Sequence, residues 1–257
     1  MNSGWISVVY TSLDTFETTE LDSLSSSEVR RAGRFKAPRR RQQYFCGRAL
    51  LRAVLERHSG DPAASHDLIT DANGKPHCVD GPAVSIAHSG SIVVCAVAEH
   101  GAIGIDIEGH CRRRDTRGIA ERYFSGDEAH WLALQPDDRF YMLWVLKEAW
   151  LKCTGSGLGG GLDDLRCRVI PPRIYAHLRD GNPSALRLYA VENAYIGLAT
   201  TTPVQKDVTV EYWEPHGNRF GADCGLELIA STDSAPALNS SANSLTTRQA
   251  PQPHQSS

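Results

Sequence analysis

The chain has no run of apolar residues long enough to cross a bilayer, a span that takes about 20 of them. Its start, Met1-Asn2-Ser3-Gly4-Trp5, has neither the basic residues nor the apolar stretch of a secretory leader. Cysteine occurs seven times, an odd number, and never as a Cys-x-x-Cys pair. That scatter excludes a zinc ribbon or a redox dithiol and points to reduced thiols in a cytoplasmic protein. Cys153, beside Lys152, has the setting of a reactive thiol, though a structural role is the simpler reading. A surplus of positive charge is also missing: 27 Lys and Arg stand against 30 Asp and Glu, for a net charge of −3. With no recognition motif alongside, a general nucleic-acid binder is not expected. The expectation is therefore a cytoplasmic protein that engages neither membrane nor nucleic acid.

What is present suits a globular protein of one large or two modest domains: 257 residues, 41% apolar and 22% charged. Charge is unevenly placed. Between Arg30 and Arg52 lie nine basic residues and no acid, and Arg112, Arg113, Arg114 and Arg117 make a second cluster. Most of these read as solvated faces, with an anionic ligand or an acidic protein helix as the functional alternative. Periodicity predicts helices over about 26–34, 40–57, 117–123, 125–134 and 137–153, with Ser125 capping and Glu128 three residues in. Strands are predicted over 91–98, 102–108, 185–191, 195–200 and 207–213, the first two as a hairpin about Glu99-His100-Gly101. Helix then strand pair, given twice, is a weak internal repeat. We expect an α+β protein of two similar lobes, 1–108 and 109–230, meeting at a cleft. The tail, 231–257, is rich in Ser, Ala, Gln and Pro and reads as disordered.

Chemistry concentrates in two segments. In Gly104-Ile105-Asp106-Ile107-Glu108 the period of two puts both carboxylates on one strand face and both isoleucines on the other. Neighbouring carboxylates resist ionisation, and a hard divalent cation removes that penalty. In Trp144-Val145-Leu146-Lys147-Glu148-Ala149-Trp150-Leu151-Lys152, helical spacing aligns Trp144, Glu148 and Lys152. Three carboxylates, a metal and a lysine suit phosphate chemistry. A solvated strand face, an ordinary Glu–Lys helix pair and core tryptophans explain the same spacing without any metal.

The residues themselves say more. The two segments, in this order and separation, closely resemble the paired motifs of 4′-phosphopantetheinyl transferases of the larger, surfactin-type branch. Upstream, Gly74-Lys75-Pro76, Ser85-Ile86-Ala87-His88-Ser89-Gly90 and the arginine-bearing Gln43–Arg52 resemble further motifs of that family, so that the likeness covers about 25–165. The resemblance implies a pseudo-twofold, two-lobed fold with coenzyme A as substrate between the lobes. It implies transfer of phosphopantetheine to a serine of an apo acyl or peptidyl carrier protein. Asp106, Glu108 and Glu148 would hold Mg²⁺, with Mn²⁺ as a substitute. Lys152 would neutralise phosphate, and Glu148 would also serve as general base. Arg31 and Arg48 would meet phosphates of the coenzyme, Lys75 with Gly74 and Pro76 the nucleotide, and His88, in a turn before the strand, a phosphate oxygen. Asp106 would also contact the bound coenzyme through its pyrophosphate.

The chain departs from the family where Asn and Ser are common, here Ser85 and Ala87, and at Glu28, where some relatives are basic. Two other readings stand beside the transferase: a non-catalytic module binding coenzyme A or carrier proteins, and another metal-dependent phosphoryl-transfer enzyme. A chain carrying both lobes needs no partner copy to complete its site, so a monomer is expected.

Overall fold

Strand β5 (Ile92–Ala98) is apolar at every position because both its faces are covered. Val93, Cys95 and Val97 pack under helix α2 (Pro38–Ser59), while Val94, Ala96 and Ala98 face a second sheet. The computed structural model from which these contacts are read describes residues 4–17, 24–61, 68–71, 75–110, 114–156, 161–178, 185–201, 208–222 and 225–232. Around β5 the first sheet runs β12-β11-β1-β5-β4. Its members are β1 (Ile6–Ser12), β4 (Ala83–Ser89), β11 (Val208–Glu214) and β12 (Arg219–Gly221). A two-stranded ribbon, β2 (Leu68–Thr70) with β3 (Pro76–Cys78), lies outside it.

The second sheet runs β6-β10-β9-β13-β8-β7. These strands are β6 (Ile103–Gly109), β7 (Leu165–Ile170), β8 (Arg173–Leu178), β9 (Ala185–Val191), β10 (Ala194–Thr200) and β13 (Glu227–Ser231). Its inner face, with Ile103, Ile105, Ile107, Ile196 and Leu198, meets the first sheet; its outer face packs on α5 (Asp138–Thr154). The layers are thus α2, first sheet, second sheet, α5: a mixed α+β architecture of two similar lobes.

Two expectations are corrected here. The hairpin of 91–98 with 102–108 does not form. Both edges of β5 are taken, by β1 and β4, so β6 crosses over and pairs antiparallel with β10, Asp106 opposite Gly197. The hairpin partner of β5 is instead β4, through Gly90 at φ 58°. As a result Asp106 and Glu108 belong to the same sheet that carries α5, rather than to the opposite lobe. Strand membership also departs from a single division at 108: β6 joins the second sheet, while β11 and β12 return to the first, β11 parallel to β1. Ser231 closes β13; residues 233–257 of the expected tail lie outside the described residues.

The edges of the two sheets are joined by side chains. Along β4, the hydroxyls of Ser85 and Ser89 accept the N–H groups of Ile105 and Gly109 on β6, each at 3.1 Å. Edge amides that would otherwise stand open are thereby satisfied.

The internal repeat is clearest in its buried charges. Helix α1 (Ser26–Ala32) opens with a capping box between Ser25 and Glu28, and α4 (Gly126–Leu132) with one between Ser125 and Glu128. Each glutamate is buried and meets a cation from the long helix that follows. Arg52 of α2 lies 2.9 Å from Glu28, and Lys147 of α5 lies 2.9 Å from Glu128. Lys147, wholly buried, also donates to the carbonyls of Leu162 and Leu165, while Glu128 accepts the Cys167 N–H at 2.8 Å. One ion pair therefore fastens α4 to α5 and covers the open edge of β7.

A second constraint is the approach of α5 to the sheet. A Cβ on Gly104 would lie 2.0 Å from the Ala149 carbonyl oxygen and 2.4 Å from the Cys153 nitrogen; one on Gly197 would lie 2.4 Å from the Val145 oxygen. Backbone atoms of a packed helix cannot yield by that much. Gly104→Ala is expected to cost about 3 kcal/mol or more in urea unfolding. Lys147→Met should cost about 3–5 kcal/mol, because it strands Glu128 without its counter-charge. The double variant Glu128→Gln/Lys147→Met should lose less than Lys147→Met alone, measured the same way.

Candidate active site

Helix α5 begins at Asp138 and stops at Gly155, whose φ of 75° ends the helical run. Helical spacing turns Val145, Glu148, Ala149, Lys152 and Cys153 toward β6 and β10. With Gly104 admitting the helix backbone, the next outward positions on β6, Asp106 and Glu108, face the helix side chains. Lys152 Nζ donates to Asp106 Oδ1 at 2.7 Å and to the Ile105 carbonyl at 3.0 Å. The carboxylate pair and the glutamate–lysine pair thus converge, as the paired segments imply.

Glu108 is held on both oxygens. Ser89 Oγ donates to its Oε2 at 2.8 Å, and Arg114 reaches its Oε1 with Nη2. Glu148 differs: its Oε1 is buried and accepts no hydrogen bond. Burial, with Asp106 and Glu108 nearby, pushes the Glu148 carboxyl up to about 7 against the pull of Lys152. Burial raises Asp106 as well, opposed by the Lys152 ammonium.

The first lobe contributes at the rim. Lys75 donates from Nζ to the Lys152 carbonyl, so a ribbon residue is tied to the last turn of α5, and burial lowers its pKa. Its amide donates to Asp71 Oδ1 at 2.8 Å. Pro76 is buried in β3; Gly74 lies outside the described residues. His88 sits in strand β4, paired opposite Val93, and not in a turn. Its Nε2 is 3.0 Å from Arg40 Nη1. A guanidinium can only donate, so Nε2 is the acceptor and the ring is neutral, in keeping with the lowering of its pKa by burial and Arg40. Between the β4–β5 and β9–β10 turns lies a cavity of about 220 Å³, lined in part by Ser89, Gly90, Gly109 and Asn193 and, like the next, by none of the three carboxylates. A separate cavity of about 460 Å³ at β7 and β8 contains none of the three carboxylates.

Two of the arginines do not join the cluster. Arg31 is exposed on α1. Arg48 is buried: it donates to Thr70 Oγ1 at 2.8 Å, lies 3.8 Å from Glu28 and rests over the Tyr44 ring. That is the surrounding of a packing cation, and it explains the acid at position 28. Cys153 is a packing thiol too, raised by burial to about 11. Sequence reasoning missed Arg114 as a neighbour of Glu108, and it missed strand β4 and with it the roles of Ser85 and Ser89.

The oxygen-only donor set and the unpartnered Glu148 Oε1 fit a hard divalent cation. The side chains are not closed around one, however. Among the described residues no three His, Cys, Asp or Glu side chains are grouped so as to hold a metal ion as they stand. Lys152, Ser89 and Arg114 keep Asp106 and Glu108 engaged instead.

Comparison with known proteins agrees with this arrangement. Residues 30–98 match the family model "4'-phosphopantetheinyl transferase N-terminal domain" and 102–199 the "4'-phosphopantetheinyl transferase superfamily". The two matches meet at the crossing from β5 to β6. A 4'-phosphopantetheinyl transferase of Bacillus subtilis is 32% identical over 187 residues, covering 70% of this chain and 82% of the relative. Transferase Sfp of B. subtilis strain 168 is 34% identical over 157 residues, 58% of this chain and 69% of its own length. HetI of Nostoc is 32% identical over 158 residues, 58% of this chain. The matched region spans 66% of HetI and 62% of a Synechocystis relative, just under two thirds of each. With both matches in order and the motif carboxylates gathered on β6 and α5, the chain belongs to the 4′-phosphopantetheinyl transferase superfamily, in keeping with its surfactin-type branch.

Proposed function

We propose that this protein transfers the 4′-phosphopantetheine arm of coenzyme A to a serine of an acyl or peptidyl carrier protein, releasing adenosine 3′,5′-bisphosphate. The observation that carries the reading is Glu148: a half-buried carboxylate whose inner oxygen has no partner, beside Asp106, Glu108 and Lys152, in a chain similar to relatives named as such transferases. Asp106, Glu108 and Glu148 would hold Mg²⁺, or Mn²⁺ in its place, which when bound neutralises pyrophosphate charge.

The chain's own residues do the rest. In the reaction the serine Oγ–phosphorus bond forms, the bond from that phosphorus to the bridging oxygen breaks, and the serine proton must leave. Glu148, the carboxylate of the cluster with an unengaged oxygen, is assigned to take that proton, directly or through a water. Lys152 opposes the rise that burial imposes on Asp106 and brings a cation to the oxygens on which charge grows. Neutral His88 still carries a ring N–H to donate to a phosphate oxygen. Lys75 and Pro76, on the ribbon, are assigned to the nucleotide, and exposed Arg31 to an outer phosphate. The protein acts as a monomer in the cytoplasm, where its five described, unpaired cysteines remain reduced.

Intact-mass spectrometry of an apo carrier incubated with the protein, coenzyme A and Mg²⁺ should show one added phosphopantetheine. Chelator or Glu148→Gln should abolish it; coenzyme A binding without transfer to any of a panel of carriers would refute the proposal. The pH dependence follows from Glu148. Its folded pKa lies above the usual 4.5, so the stability it contributes is complete at acid pH and is lost as pH rises through about 7. In the metal-free protein the stability advantage of Glu148→Gln over the parent should therefore grow by about 1–2 kcal/mol between pH 5 and pH 8, solvent screening of a half-buried group reducing the full effect, followed by urea unfolding.

A further inference from the structure

We infer that Arg114 is an exchangeable counter-ion that occupies Glu108 in the free protein, competes with the divalent cation for it, and passes to ligand phosphate. The inference rests on the proposed metal-dependent reaction. Three carboxylates gather on β6 and α5, and two fixed cations answer them: Lys152 on Asp106, and Arg114 on Glu108. Glu148, the third, has no partner on its buried oxygen.

The two cations are mounted differently. Lys152 stands on a long helix whose last turn is held by Lys75, and it also donates to the Ile105 carbonyl. Arg114 stands outside any regular element, one residue before the Asp115 cap of α3 (Thr116–Tyr123), with its side chain 28% exposed. Glu108 is the one other residue it pairs with among the described residues. Glu108 keeps its second oxygen on Ser89, whose hydroxyl is itself fixed by the Gly109 N–H. Releasing Arg114 therefore frees Oε1 without unseating the carboxylate. A guanidinium fork binds phosphate oxygens as readily as carboxylate, so an entering pyrophosphate offers Arg114 an equivalent partner close to the one it leaves. The residue then disfavours metal on the empty protein and favours metal together with coenzyme.

Calorimetric titration of Mn²⁺ into the parent, Arg114→Met and Arg114→Lys, without coenzyme A, tests this. Arg114→Met should bind Mn²⁺ about fivefold tighter than the parent, the scale of a partly exposed ion pair, with Arg114→Lys between them. With coenzyme A present that gain should vanish or reverse. Unchanged or weaker Mn²⁺ binding by Arg114→Met in the absence of coenzyme would overturn the inference. A melting temperature lowered equally with and without Mn²⁺ would likewise leave Arg114 a structural ion pair. If neither the parent nor Arg114→Met, both folded by circular dichroism, takes up Mn²⁺ with or without coenzyme A, the metal reading itself falls. Tight Mn²⁺ binding by the parent with no effect of Arg114→Met removes the counter-ion role alone.

Discussion

Everything at the site depends on how closely a helix backbone can lie against a sheet. Two residues without side chains, Gly104 and Gly197, let α5 settle onto β6 and β10 at a distance that a single methyl group would forbid. Only then do side chains two positions along β6 reach those one turn along α5. The short contact is also what takes water from Asp106 and Glu148 and makes their ionisation costly. The glycine opening the motif and the acids within it are thus one device: the first sets a distance, and the others exploit it.

That device was legible in the sequence because it is local. Alternation in Gly104–Glu108 separated carboxylates from isoleucines, and the spacing of Glu148 and Lys152 put both on one helix face. Helix α5 and the strands β9, β10 and β11 were likewise marked by their own periodicity and by Gly155. What failed was pairing. Nothing in Ile92–Ala98 or Ile103–Gly109 states that both edges of β5 are already taken, because one partner, β1, lies some ninety residues upstream. A short turn between two apolar segments reads as a hairpin unless the distant competitor is known.

Charged residues in the interior were hidden for a related reason. Lys147 reads as a surface residue inside a motif, and Glu28 as a departure from a basic pattern. Both are buried ions whose partners come from other elements, Glu128 in one case, Arg48 and Arg52 in the other. Their repetition at equivalent places in the two lobes, each on a capping box, is better testimony to the internal repeat than any sequence identity between halves. It also shows how similar parts diverge: the same scaffold of short helix, long helix and sheet carries the three gathered carboxylates in the second half and, among the described residues, not in the first.

The interleaving of strands bears on how such a chain is made. The first sheet needs β11 from residues 208–214, and the second needs β13 from residues 227–231. At the usual pace of roughly 5–20 residues per second, a ribosome delivers β1 about ten seconds or more before its parallel partner. Through that interval the nascent first lobe carries an apolar strand with an open edge. Neither half can be finished alone, and the last strands to emerge act as clasps that close both lobes almost together.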